Sequence, residues 1–540
     1  MDTLTQFRPE TAANAEWWRG AVIYHVYPLS FADSNDDGYG DLPGVTGRLE
    51  HIRTLGADAL WLSPFYTSPM RDFGYDVANY CDVDPVFGTL ADFAVLVARA
   101  HALGLKVIVD QIYSHTSIQH PWFQESRRDR TNPKADWYVW ADARPDGSPP
   151  TNWQSVFMGS AWTWDARRGQ YYLNNFQSDQ PDLNVHNPAV QDALLGVARF
   201  WLDRGVDGFR LDAVNFCMHD PQLRDNPPVT NASRRTRPFD FQHHFHNQSH
   251  PDIPKFLERI RALTESRGAS FLVAEVGGEQ AAMEMKLYTE GDTRLHSAYG
   301  FHYLYADQLT SELVRAGGEE WRGDAREGWP SLAFSNHDAP RVVSRWSDSR
   351  DQTAFAKMAL LLLMTQRGSV FLYQGEELGL PQGRVPFENL RDAEAIANWP
   401  HTLGRDGART PMPWLSTATH GGFSAAVPWL PVDPAHVALA VDLQERDPHS
   451  TLHFARRAIA LRRRFSALRT GGQRFVDAPA PMLVFERGEG ESALLCAFNL
   501  GASPVAWSLP EGWQIEESVN LKQLSAREIP ALAGLLARRR

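Results

Sequence analysis

The chain has only three cysteines in 540 residues, Cys81, Cys217 and Cys496, an odd number scattered along its length. They give neither a disulfide framework nor the paired spacing of a zinc motif, and they read as small buried apolar residues. Long apolar stretches are also missing. The longest run, MALLLLM (358–364), is too short to cross a bilayer, so no membrane partner is expected. The opening MDTLTQFRPE lacks the basic and apolar sections of a secretory signal. A cytoplasmic location follows, with a periplasmic route left open, and residues 1–16 read as a flexible leader. Positive charge is in deficit, with 53 Lys+Arg against 65 Asp+Glu and a net charge of -12. That balance argues against nucleic acid as a partner, because phosphate recognition needs a basic footprint. No GxGxxG follows the first apolar run, which counts against an open dinucleotide-binding sheet, and no organic cofactor is expected.

What the chain does hold is aromatic and periodic. Its 18 Trp and 15 Tyr exceed the needs of a small core, and flat apolar faces suit sugar rings. Eight apolar runs predict strands at 22–31, 59–65, 106–112, 208–214, 271–276, 296–304, 330–338 and 369–377. Amphipathic helices are predicted between several of them, among them 90–104 and 187–205. Strands apolar on both faces and alternating with helices imply a parallel sheet, and eight in series fit a (β/α)8 TIM barrel. Residues 1–112 then form the first part of the barrel, and 113–174, polar and rich in Trp and Pro, an inserted domain after strand three. Residues 175–468 complete the barrel, with a long loop at 380–450 and a last helix at 451–468. Alternating segments such as MLVFERG and SALLCAFNLG predict a C-terminal antiparallel β domain over 469–540.

Residues 33–41 read DSNDDGYGD, which opens like an EF-hand loop: Asp33, Asn35, Asp37, Tyr39 and Asp41 alternate, with Gly38 sixth. The twelfth position, where an EF-hand needs Glu, is Gly44, and the preceding residues predict a strand, so no helix–loop–helix is expected. The stretch is a metal-binding turn or a metal-free Asx loop.

Acidic residues fall near the ends of three predicted strands: Asp212 in GFRLDAV, Glu275 in FLVAEV and Asp338 in FSNHD. One carboxylate there is an ordinary cap. Three at one barrel mouth are costly unless chemistry requires them. Paired carboxyls without a nucleotide motif fit glycoside hydrolysis, with one ionised and one protonated. Arg210, two residues before Asp212, points to the same face and favours its ionised form, while the apolar surroundings of Glu275 favour its proton.

These segments carry a resemblance. DQIYSH (110–115), GFRLDAVNF (208–216), EVGG (275–278) and FSNHD (334–338) resemble the four ordered regions of the α-amylase family, glycoside hydrolase family 13. QPDLN (180–184) is similar to its additional region, and GYDV (74–77) and GRDGARTPMPW (404–414) resemble the α-glucosidase and oligo-1,6-glucosidase branch. The resemblance implies that Asp212 is the nucleophile, Glu275 the acid/base and Asp338 a third carboxylate gripping sugar hydroxyls. It implies that His115 and His337 hold hydroxyls at the cleavage point and that Arg210 flanks the nucleophile. Asp76 and Arg409 resemble the pair that closes the pocket around a terminal glucose, and Tyr75 the platform beneath it. The first loop resembles one holding a structural divalent cation, Ca2+ or Mg2+, through Asp33, Asn35, Asp37, Asp41 and the Tyr39 carbonyl. Ser114 stands where amylases usually carry a calcium-binding Asn, which puts an amylase-type site there in doubt. Ala213, after the nucleophile, accompanies α-1,4 preference in the family.

The expected activity is therefore exo-acting, retaining release of α-glucose from short α-glucosides, with transglucosylation. A sucrose- or trehalose-acting isomerase or transglucosidase on the same scaffold is the alternative, and a non-catalytic barrel scaffold is a second one. The partner is a small oligosaccharide or α-glucoside, and a homodimer is an assembly the sequence allows. HHFHNQSH (243–250) offers metal ligands but reads as a solvated loop. SRRTR (233–237) reads as exposed charge, and NAS (231–233) matches a glycosylation acceptor that carries no weight without a secretion signal.

Overall fold

The structure is a computed structural model describing residues 16–540 apart from 231–236, 269, 322–327, 349, 403 and 522–527. The leader apart from Glu16, the NAS sequence and SRRTR apart from Arg237 lie outside the described residues. Eight parallel strands close into a barrel. They are β1 (Val22–Val26), β2 (Ala59–Leu62), β3 (Lys106–Ile112), β4 (Gly208–Asp212), β5 (Phe271–Val276), β6 (Ser297–Gly300), β7 (Trp329–Ala333) and β8 (Ser369–Tyr373). Each strand pairs with the one before and after it in sequence, and β8 returns to β1.

All eight predicted strands are present, but several end early. The first run stops as a strand at Val26 and turns into a short 3-10 helix at Pro28–Ser30. Proline supplies no N–H to continue the ladder. The seventh and eighth runs end at Ala333 and Tyr373. Residues beyond those ends, such as Phe334 and Leu378, stay buried under the loops, so apolar character outlasts strand pairing.

The helices start where the chain supplies caps. Thr89 and Asp92 form a capping box on Leu90–Ala102, and Asn187 caps Pro188–Leu202 with proline in its first turn. The predicted last barrel helix breaks at Phe465 into Thr451–Arg464 and Ser466–Arg469. Between β3 and β4, strands Trp140–Ala141, Trp162–Asp165 and Gln170–Leu173 form a small antiparallel sheet. At the C-terminal end, Gln473–Val476, Met482–Arg487, Leu494–Asn499, Trp513–Val519 and Gly534–Arg539 form a five-stranded antiparallel sheet. Among the described residues no helix is long and apolar enough to cross a membrane.

The barrel interior fixes where chemistry sits. Alternate residues of each strand point inward, and Ile23, Trp61, Ile108, Phe271, Val273, Tyr299 and Phe371 pack together there. Two residues after Ile108 and Val273, the same parity brings Asp110 and Glu275 inward; Arg210 lies opposite both Asp110 and Val273 in register. The polar layer therefore lies on an apolar floor, at the ends of β3, β4 and β5.

Candidate active site

Arg210 organises this layer. Its side chain is completely buried, and Nη1 donates to Asp110 Oδ1 at 2.8 Å and to Asp212 Oδ1. Nη2 lies 2.5 Å from Glu275 Oε1 but off the hydrogen-bonding line. Burial opposes the charge on Arg210, yet Asp110 and Glu275 more than offset it and hold the guanidinium firmly protonated. One cation thus faces three carboxyls.

The carboxyls are not equivalent. Burial pushes the Glu275 carboxyl up to about 7, with Arg210 opposing and Asp212 and Asp338 adding. Burial raises Asp212 to about 7 as well, with the charge and a hydrogen bond of Arg210 opposing. The pair therefore shares a proton near neutral pH, and the charge-assisted bond from Arg210 to Asp212, against two neutral bonds to Glu275, favours that proton on Glu275. Glu275 is further located by the Tyr299 hydroxyl at 3.2 Å, which also accepts from Arg210 Nε at 3.1 Å. The Ala213 N–H donates to Glu275 Oε2 at 3.2 Å. Ala213 has φ 39°, a left-handed conformation that turns the chain sharply after Asp212.

Asp338, the most exposed of the three predicted carboxylates, accepts from Arg409 Nη2 at 2.7 Å and lies 3.2 Å from His337 Nε2. The His337 ring is parallel to Tyr75 within 3°, and its Nε2 is 2.7 Å from the Tyr75 hydroxyl. Burial, then the Arg409 and Arg210 guanidinia, hold His337 well below the usual range, so it is neutral. His115 is buried between the Tyr75 carbonyl, 3.1 Å, and Gln180 Nε2, 3.2 Å, and burial lowers it to about 4. Ser114 Oγ sits 3.0 Å from His115 Nδ1, so this side chain braces the histidine.

The structure corrects one predicted pair. Asp76 is fully buried, and its oxygens accept from Ser68 Oγ, the Arg71 N–H and the Asp72 N–H, bracing its own turn. Arg409 is committed to Asp338 and to the His337 carbonyl. The pair forms four residues earlier on each side: Arg405 Nη2 donates to Asp72 Oδ1 at 2.9 Å and to Asp392 Oδ1 at 2.9 Å. Arg405 Nη1 also lies 3.6 Å from Asp338. Asp72 takes a further bond from Gln180 Nε2 at 3.0 Å. Sequence reasoning also missed Asp110, which accepts from Arg210, from Trp61 Nε1 at 3.1 Å and from the Tyr75 hydroxyl at 3.2 Å. It stood at the head of the DQIYSH segment, where its even spacing from Ile108 marks the inward face.

The first βα loop contains the oxygens read as cation ligands. Asp33, Asn35 and Asp37 accept successive backbone N–H groups of the turn, and Asp41 accepts from Ser34 and from the Gly44 N–H at 2.6 Å. The donor types suit a hard divalent cation. Both oxygens of Asp33 and of Asp41 are already engaged by N–H or hydroxyl donors, and Asp33, Asp37 and Asp41 do not converge within 4.8 Å of one another. The predicted solvated loop at 243–250 is instead largely packed: His244, Asn247 and Gln248 are buried, with His244 stacked on Phe239. Its histidines diverge, because each satisfies a different local partner.

A family model for the alpha amylase catalytic domain matches residues 25–471. The chain belongs to the α-amylase family. It is 52% identical over 503 residues to a probable alpha-glucosidase of Rhizobium meliloti (strain 1021), covering 92% of this chain and 91% of that one. An oligo-1,6-glucosidase of Parageobacillus thermoglucosidasius is 33% identical over 556 residues, covering 95% and 97%. The solved structure of an alpha-glucosyl transfer enzyme, XgtA, superposes with a TM-score of 0.93 at 49% identity, covering 97% of this chain and 99% of that one. Within the α-amylase family the chain falls in the α-glucosidase branch and is a glycoside hydrolase acting on α-glucosides.

Proposed function

We propose that the chain is an exo-acting, retaining α-glucosidase that removes single glucosyl units from short α-glucosides and passes some of them to sugar acceptors. The observation that carries this reading is the pairing of Asp212 and Glu275 on one buried guanidinium, Arg210, whose hydrogen bond goes to Asp212 and favours its ionised form. Asp212 attacks the anomeric carbon as the bond to the leaving oxygen breaks, and Glu275 gives that oxygen its proton. Glu275, now a carboxylate, takes a proton from water. The water oxygen bonds to the same carbon as the Asp212 ester breaks, and α-glucose leaves with both carboxyls restored. Asp338, with the neutral His337 and His115, grips ring hydroxyls, and Tyr75 underlies the ring.

The Arg405–Asp72 contact, backed by Asp392, supports a pocket closed at one end, which admits one terminal residue. Ala213 supports a preference for α-1,4 links. The likeness to an alpha-glucosyl transfer enzyme supports transfer to acceptors besides water. On the acceptor side, the segments 215–254 and 380–450 meet where Arg237 lies 3.7 Å from Glu394. A divalent cation, Ca2+ or Mg2+, on Asp33, Asn35, Asp37, Asp41 and the Tyr39 carbonyl would stiffen the first βα loop and take no part in bond breaking.

Turnover of maltose, isomaltose, maltotriose, sucrose and trehalose, with products identified by chromatography, tests this reading. Fastest release of glucose from maltose, with some longer saccharides, is expected. Isomeric disaccharides from sucrose as the main product would replace it with the isomerase reading.

A further inference from the structure

Three metal-binding side chains meet outside the catalytic residues, at the starts of two neighbouring barrel helices. His186 precedes the helix Pro188–Leu202, and His250 and Asp252 precede the helix Ile253–Glu265. One donor atom from each lies within 4.8 Å of the other two, and among the described residues this is the one such group. All three side chains are partly buried. The helices behind them are joined by Arg259, which donates to Gln191 Oε1 at 2.6 Å and to Asp192 Oδ1 at 2.5 Å.

Hydrogen bonds already orient the donors. His186 Nε2 lies 2.8 Å from the His219 carbonyl, which can only accept, so Nε2 carries the proton and Nδ1 keeps its lone pair. A carbonyl behind the ring fixes a ligating imidazole in this way. His250 Nδ1 is also unprotonated, since it accepts a long hydrogen bond from the Asp252 N–H, 3.2 Å, which a cation on that lone pair would replace. Asp252 is divided: Lys255 takes Oδ1 at 2.6 Å, and Oδ2 faces His250 Nδ1 at 3.9 Å. Two donors ~2.1 Å from a tetrahedral zinc ion stand ~3.4 Å apart, so this edge closes by about half an ångström when the ion binds.

From this geometry we infer that His186, His250 and Asp252 form a binding site for Zn2+ or a divalent cation of the same ligand preference. Two imidazoles and a carboxylate match zinc, whereas Ca2+ and Mg2+ take shells of oxygen. Three protein ligands leave a fourth position for water. The ion pins residue 250, at the far end of the segment that begins after Asp212, to residue 186, just beyond the QPDLN segment that brings Gln180 to His115. It acts as a clamp between two walls of the pocket.

The test is a zinc titration of the chelator-stripped full chain in excess Mg2+, by competition with a chromophoric chelator, beside His250→Ala and Asp252→Asn. Wild type is expected to take up one equivalent that both variants bind more than about tenfold more weakly. Zinc should raise the thermal midpoint of the wild type alone, and Co2+ should give the strong visible bands of a four-coordinate site in the wild type alone. Metal-free midpoints of the variants near wild type show that they are folded. Equal zinc affinity in all three chains, or no zinc taken up by wild type, overturns the proposal.

Discussion

Glu275 is buried and held by three neighbours of different kinds, and its pH behaviour follows from them. Burial raises its carboxyl to about 7, Arg210 opposes, and the Tyr299 hydroxyl and Ala213 N–H locate its oxygens. The acid must be protonated in the free enzyme, so kcat/KM on maltose should fall as pH rises through about 7. In Glu275→Gln, maltose turnover should drop by at least about a hundredfold. A substrate whose leaving group needs no proton should keep most of its first-step rate and lose the alkaline limb. An unchanged alkaline limb in that variant would assign the titration to another group. At this scale the sequence was informative about identity and less so about partners. Asp212, Glu275 and Arg210 stood on strands whose parity points inward, and Asp338 in the FSNHD segment just beyond the seventh strand. Asp72 and Arg405 lay within three or four residues of Tyr75 and Arg409, and local spacing cannot say which acid meets which guanidinium.

Among the elements, the first βα loop does more than turn the chain. The Asp33 N–H donates to the Phe423 carbonyl at 3.1 Å, the Ala425 N–H to Asp36 Oδ1 at 2.9 Å, and the Trp429 N–H to the Gly38 carbonyl at 2.9 Å. The loop thereby holds the stretch 380–450, which carries Arg405 and Arg409. Gly38 is required here: its φ is 92°, and a Cβ would stand 2.3 Å from the Val427 carbonyl. Stripping the proposed Ca2+ or Mg2+ should lower the thermal midpoint, re-addition should restore it, and Asp37→Ala should abolish the response; an unaltered midpoint would remove the cation from the account. The last barrel helix is fastened differently. Arg462 is fully buried and donates to the carbonyls of Gly20, Met364, Gln366 and Gly368. In Arg462→Met those carbonyls lose their donor, at a cost of about 3 kcal/mol. The urea midpoint should fall accordingly, with turnover per folded molecule unchanged. The run TLHFARRAIALRRRFSAL showed a helix, but not which of its arginines turns inward, because periodicity does not distinguish a buried arginine from a solvated one.

For the whole molecule, the barrel was legible because eight apolar runs alternate with helices, and each run is buried on both faces. Strand ends were less legible, since Phe334 and Leu378 remain buried beyond the last paired residue. The packed 243–250 segment was misread because histidines and amides satisfy one another there, which composition alone reports as polarity. The site depends on this long-range closure: β3, β4 and β5 each deliver a carboxyl to one guanidinium. The central claim is that Asp212 bonds to the sugar while Glu275 moves the proton. The most direct measurement quenches the enzyme during turnover of a 5-fluoro-α-glucosyl fluoride and maps the labelled peptide by mass spectrometry. The account predicts a single glucosyl ester on Asp212, with α-glucose as the first product from maltose. A label on any other residue, or β-glucose released first, would contradict it.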